Sequence, residues 1–418
     1  MDTTRLDTGL HQTVLPNGLT VLTEVLPGLR SVAVGVWVRT ASAHEPRAKM
    51  GVSHLLEHMV FKGTERRTAR QLALELETRG GSLDAYTSRD HTNYQAHVLD
   101  DDLPRALDVL TDLVRRPLLR EQDLALERNV VLEEIAQVED TPDDLVFELF
   151  HARLWPAHPY GYSILGTRHT VSGLEAADLR QLHRAGYHPA NCVVAAAGRL
   201  EHEHVLDLLA REGWADADSG GPPREPVPPA PACRGVMEVI ERDGAQTHLV
   251  VGSDTFPYRD RRRFALSIVT NVFGGGMSSR LFQRVREELG LAYAVYAYQQ
   301  FFQSGGVAGV YVGTQPATAA RALEVVREEY ARLAREGLSA EDLAAGKRQL
   351  KGQVMLSLES PVSRMNRLAT VGLHDEPYRR LDQLLDEIDA VTLDDVAAIT
   401  AEFFAAERQT VVQLGPAR

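Results

Sequence analysis

At 418 residues, with 44% hydrophobic and 25% charged side chains, the chain is too long for one compact core of ordinary size, so two domains are expected. No stretch approaches the ~18 apolar residues of a membrane span, and a formal net charge of −13 disfavours nucleic acid and anionic membranes, which are captured by clustered Lys and Arg. A soluble globular protein is the expectation.

The N-terminal run MDTTRLDTGLHQTVLPNG has neither a basic segment followed by an apolar one nor the Arg-rich, acid-poor character of a transit peptide, so a cytoplasmic location is expected. Strand-like runs at 19–24 and 31–39 then alternate with helical patterns at 54–60, 69–79, 103–114 and 121–139. Residues 216–234 are rich in Pro and Gly, lack an apolar period, and predict a linker. Beyond it come strands at 235–241 and 247–252 and helices at 261–273, 279–288 and 317–337. Both halves open with two strands, continue with a helix and close on long amphipathic helices. The expected fold is therefore α+β, with one unit used twice: a domain at 1–215 and a similar one at 235–418, each a mixed β-sheet packed against helices. Strands interleaved with helices also occur in unrelated α/β chains. Cys192 and Cys233 fall in different halves with no second Cys or His at ligand spacing, which supports neither a disulfide framework nor a thiolate metal site.

The segment GVSHLLEHMVF (51–61) spaces His54 and His58 four residues apart, so on a helix both imidazoles share one face, one turn apart, and can bind one ion. Neutral imidazole suits zinc, and a catalytic zinc site generally has three protein ligands and a water. The metal lowers the pKa of that water, and Glu57 is placed to take its proton. A satisfied histidine pair on an ordinary buried helix is the bland alternative. Three polar side chains in an otherwise apolar helix are costly to bury without partners, which favours the metal.

The third ligand must come from elsewhere, and LERNVVLEEIAQVED is the best donor. Glu127, Val131, Glu134 and Val138 recur at helical spacing on a stripe that looks core-facing, whereas Glu133 falls on a more polar side. Glu134 is the ligand candidate, and Glu127 a residue that orients a ligand.

With these residues in place, the chain resembles the pitrilysin family of zinc peptidases, which includes insulin-degrading enzyme and the mitochondrial processing peptidase. The H-x-x-E-H order is the inverse of the commoner H-E-x-x-H. In that family the third ligand follows the second His by about 76 residues, which falls on Glu134, and an accessory Glu seven residues earlier matches Glu127. GGSLDAYTSRDHTNYQAHV (80–98) resembles the family's edge strand, and YGYSILGT (160–167) a later segment of the same domain. GGGMSSRLFQRVREELGLAYAV (274–295) carries Arg286 and Tyr293 seven apart, like the family's substrate-binding pair.

The resemblance implies one Zn2+ per chain, with Glu57, Glu127 and Tyr293 acting in catalysis. It implies that Leu83, Ala85, Tyr86 and Thr87 line an edge strand to which an extended peptide adds, presenting its carbonyl to the metal. Tyr293 would donate to the oxyanion while Arg286 holds the substrate backbone. Asp84 departs from the pattern, since many relatives have Asn there. Relatives of this length are half-clamshells in which two chains enclose a chamber, so a homodimer, or a heterodimer with a homologous chain, is expected, cleaving peptides or unfolded segments. The alternatives are a non-catalytic partner subunit, because some relatives have lost the metal motif, and a zinc hydrolase acting on a non-peptide amide.

Overall fold

The computed structural model describes residues 2–215 and 225–416. Seven strands, β1 (Asp2–Asp7), β2 (Leu10–Val14), β3 (Thr20–Val25), β4 (Ser31–Val38), β5 (Ser82–Thr87), β6 (Thr92–Leu99) and β7 (Cys192–Gly198), form a first sheet in the order β1-β2-β3-β7-β4-β6-β5. Five more, β8 (Met237–Glu241), β9 (Thr247–Thr255), β10 (Ala292–Phe301), β11 (Gly306–Thr314) and β12 (Thr410–Gly415), form a second in the order β10-β11-β9-β12-β8.

Without the β1–β2 hairpin the two sheets have one topology. β3-β7-β4-β6-β5 and β8-β12-β9-β11-β10 place successive strands identically, and in each only the outer pair, β3/β7 or β8/β12, is parallel. The expectation of one α+β unit used twice is met at the level of strand order.

Both central strands of the first sheet read as unbroken apolar runs because both faces are covered. On β4, Val32, Val34, Val36 and Val38 join the core that contains Leu55, Leu56 and Met59 of α1 (Val52–Val60). Ala33 and Trp37, with Val193, Ala195 and Ala197 of β7, pack on the other face against Met365, Leu368 and Ala369 of the helix Pro361–Leu373. In the second sheet β9 and β11 are buried along their whole length.

The chain divides into two compact units. One comprises Met1–Ile135, Ser163–Pro226 and Leu356–Tyr378, and the other Ala136–Tyr162, Val227–Met355 and Arg379–Arg418. The helix Pro361–Leu373 packs on β3, β4 and β7, while the helix Pro142–Leu154 packs on β9 and β12. The stretch expected as a linker thus separates the strands of the two sheets but not these two helices. An apolar helix face fits either sheet, so its sequence does not mark which one it covers. Of that stretch, residues 216–224 lie outside the described residues, and 225–236 form neither helix nor strand. No helix among the described residues is long and apolar enough to cross a membrane.

Candidate metal centre

α1 buries Val52, Leu55, Leu56, Met59 and Val60. Its start is fixed by two glycines in close apposition. Gly51 adopts φ 90°, and a Cβ there would lie 2.5 Å from the Leu165 carbonyl oxygen; one on Gly166 would lie 2.4 Å from that of Met50. Only glycine tolerates both the conformation and the approach. With no side-chain cap from Gly51, the helix's free N–H groups find a partner upstream, where the buried Glu45 carboxylate accepts from Gly51 N–H at 2.8 Å and Ser53 N–H at 2.7 Å. Burial pushes the Glu45 carboxyl up to about 7, against the pull of these donors.

On this helix His54 is buried and His58 half-buried, their rings meeting edge-on with centroids 4.6 Å apart. The helix α2 (Glu121–Asp140) buries Leu124, Val131 and Ile135 with Glu127 among them; Glu134 is half-buried and Glu133 exposed. Glu134 Oε2 stands 3.5 Å from His54 Nε2 and 3.6 Å from His58 Nε2. Donors about 2.1 Å from a tetrahedral zinc stand ~3.4 Å apart, so the spacing fits such an ion. The three residues are the one group of this kind among the described residues, with ligand atoms all within 4.8 Å of one another. Burial, and then the neighbouring His58, push the His54 imidazole down to about 3, which keeps it neutral as a ligand must be.

The nitrogen of His58 that points away from Glu134 is also held. Nδ1 lies 2.9 Å from Glu127 Oε1, and Glu127 Oε2 takes the Lys62 ammonium at 2.5 Å. A carboxylate behind a ligand histidine fixes its tautomer and ring orientation. His54 Nδ1, by contrast, is buried without a hydrogen-bond partner.

Glu57 lies on the same helix face, its Oε2 accepting from Thr87 Oγ1 at 2.6 Å. Burial pushes its carboxyl above the usual range, and the Thr87 hydroxyl pulls it partly back. Thr87 ends β5, which is the edge strand of its sheet and pairs with β6 alone. Leu83 and Ala85 pack against the core, while Asp84 and Tyr86 are exposed.

In the second unit Arg286 sits on a π-helical turn, Phe282–Glu288, where the sequence predicts an ordinary helix. Its guanidinium lies over the rings of Phe282 and Tyr293, 4.8 Å from each centroid. Tyr293 is the extra residue where the β10/β11 register shifts between Ala292 and Ala294, and it is 76% exposed. Such a bulge re-aims a side chain out of the sheet. Both residues line a cleft of about 340 Å³ with Gln246, Thr314 and Thr318.

The sequence-predicted residues His54, Glu57, His58, Glu127 and Glu134 are thus brought together in one unit, and Arg286 and Tyr293 meet in the other. Sequence reasoning missed Glu45 and Lys62, which lie outside the periodic segments, and did not see that Thr87 faces Glu57.

Family models match most of the chain: the description Insulinase (Peptidase family M16) fits residues 20–168 and Peptidase M16 inactive domain fits 173–350. An uncharacterized zinc protease of Streptomyces coelicolor is 37% identical over 97% of this chain and 90% of its own, and one of Mycobacterium leprae 38% over 98% and 92%. The chain belongs to the M16 peptidase family, of pitrilysin type. A further M16 relative, the uncharacterized zinc protease YmxG of Bacillus subtilis, is 37% identical over 93% of this chain and 94% of its own. Solved structures share the M16 fold: an M16 inactive domain from Pseudomonas fluorescens superposes with a TM-score of 0.91 at 22% identity, covering 98% of each chain. A protease from Helicobacter pylori gives 0.90 at 21% identity, covering 97% of this chain and 99% of its own. In the second unit, the helix Arg263–Gly274 that corresponds in strand order to α1 carries neither His nor Glu.

Proposed function

We propose that this M16 chain is a zinc-dependent endopeptidase in which His54, His58 and Glu134 hold one zinc and Glu57 is the general base. The observation that carries the reading is the convergence of Glu134 Oε2 on both imidazole Nε2 atoms at 3.5 and 3.6 Å, with Glu57 on the same helix face. Bound there, zinc would supply a Lewis acid for a scissile carbonyl and its attacking water.

The protein's own groups then divide the work. Glu57 Oε2 is engaged by Thr87, so Oε1 is the atom that takes the proton of the attacking water and returns it to the leaving amine. Burial raises the basicity of that carboxylate. Glu127 holds His58 in the ligand tautomer. The free edge of β5 takes an extended peptide as an added strand through main-chain hydrogen bonds; Leu83 and Ala85 contribute backbone only, because their side chains face the core. Tyr293 supplies the oxyanion donor and Arg286 holds the substrate backbone, each contributed by a second copy of the chain in a dimer that encloses peptides or unfolded segments.

Incubation of the purified chain with a mixed peptide library, with mass spectrometry of the products, tests this. Internal cleavage that stops with a chelator and returns with zinc is expected. No cleavage by the zinc-loaded dimer would leave a non-catalytic partner subunit, and cleavage indifferent to chelation would overturn the metal mechanism.

A further inference from the structure

Thr87 stands where two functional elements meet. It is the last residue of β5 and pairs with Thr92, the first of β6. The turn between them is closed by Ser88 N–H and Ser88 Oγ, which donate to the His91 carbonyl at 2.9 and 2.8 Å, and by His91 N–H, which donates to Ser88 Oγ at 3.1 Å. Thr92 Oγ1 ties the next strand to the Thr40 carbonyl at 3.2 Å. The hairpin therefore fixes the Thr87 backbone independently of the metal ligands, and from that fixed point its hydroxyl donates to Glu57 Oε2 at 2.6 Å. A short hydrogen bond from a neutral hydroxyl to a carboxylate in a half-buried setting is strong and directional.

We infer that Thr87 is a positioning residue for Glu57: it occupies one carboxylate oxygen and so aims the other at the water, tying the orientation of the base to the strand that receives the peptide. This rests on the proposed role of Glu57. It differs from the expectation that Thr87 binds substrate, because its side chain is directed to the carboxylate and not to the open edge of β5.

The test is a cycle of Thr87→Val, Thr87→Ser and Glu57→Gln. Val keeps the branched strand-forming shape and removes the hydroxyl; Ser keeps the hydroxyl. Thr87→Val is expected to lower kcat roughly tenfold, the loss of one hydrogen bond to a charged group, with KM and zinc content unchanged. Thr87→Ser should recover most of kcat. In the Glu57→Gln background Thr87→Val should cost little more, because the two residues act as a unit, and displacement of a fluorescent peptide should give equal affinities for the single and double variants. A rise in KM without a fall in kcat, or losses that multiply in the double variant, would make Thr87 a substrate contact and overturn the inference. If Glu57→Gln itself retains full turnover, the base assignment fails and the inference falls with it. An impaired Glu57→Gln beside a fully active Thr87→Val removes the inference alone.

Discussion

The Glu127 carboxylate accepts the Nδ1–H of His58 at 2.9 Å and thereby turns Nε2 of that ring toward Glu134. Its other oxygen is satisfied by Lys62, so a carboxylate that is costly to bury is fully partnered. Glu127→Gln retains the shape but weakens the pull on the His58 proton. Zinc affinity, measured by competition with a chromophoric chelator, should fall about 10- to 100-fold. Unchanged affinity would remove Glu127 from the support of the site.

Ligand identity is separable on the helix that bears Glu127. Glu134→Gln should weaken zinc binding far more than Glu133→Gln, since only Glu134 reaches both imidazoles and Glu133 is exposed. His58→Ala should abolish stoichiometric zinc while the protein stays folded, because α1 is anchored by Leu55, Leu56 and Met59. Metal analysis of the three variants decides this, and the reverse ranking of the two Glu variants would make Glu133 the ligand in place of Glu134.

Much of the candidate site is legible in the sequence, for a physical reason. His54 and His58 on one helix face, and Glu127 and Glu134 on one stripe, are local patterns set by the 3.6-residue period. Strand order was legible only as a repeated sequence of elements; the matched order of β3–β7 and β8–β12 came from pairing, which no local period encodes. The helix Pro142–Leu154 could not be assigned to β9 and β12 from its own residues. Glu45 and Lys62 lie in irregular segments, and the contact of Thr87 with Glu57 depends on the register of β5 against β6 and on the packing of β5 against α1.

Among the buried histidines, His202 contributes stability that depends on acid pH. His202 is held on both ring nitrogens, by Thr13 Oγ1 at 2.8 Å and Thr23 Oγ1 at 2.9 Å, and burial followed by the nearby His11 pushes it from the ordinary 6.5 down to about 4. The unfolded chain binds the proton more readily, so the stability contributed by neutral His202 is complete above pH ~6.5 and is lost as pH falls toward ~4. Denaturant midpoints across that window should fall for the parent protein and fall less steeply for His202→Asn. Equal slopes would show that His202 does not control the transition.

If the proposed site is shared between two chains, Glu57→Gln and Tyr293→Phe homodimers are each impaired, because every site carries one lesion. In a mixed dimer one site carries both lesions and the other none. Mixing the two variants under conditions of subunit exchange should partly restore turnover. No recovery, with exchange verified by native mass measurement, would contradict a shared site.

The measurement that bears most directly on the proposed chemistry is Glu57→Gln assayed together with its zinc content. Gln keeps the shape of the side chain, and its amide oxygen can still accept the Thr87 hydroxyl, but it cannot take a proton from water. The expected result is one zinc per chain with peptide turnover reduced by about 10² to 10⁴. Near-normal turnover by a zinc-loaded Glu57→Gln protein would contradict the assignment of Glu57 as the base.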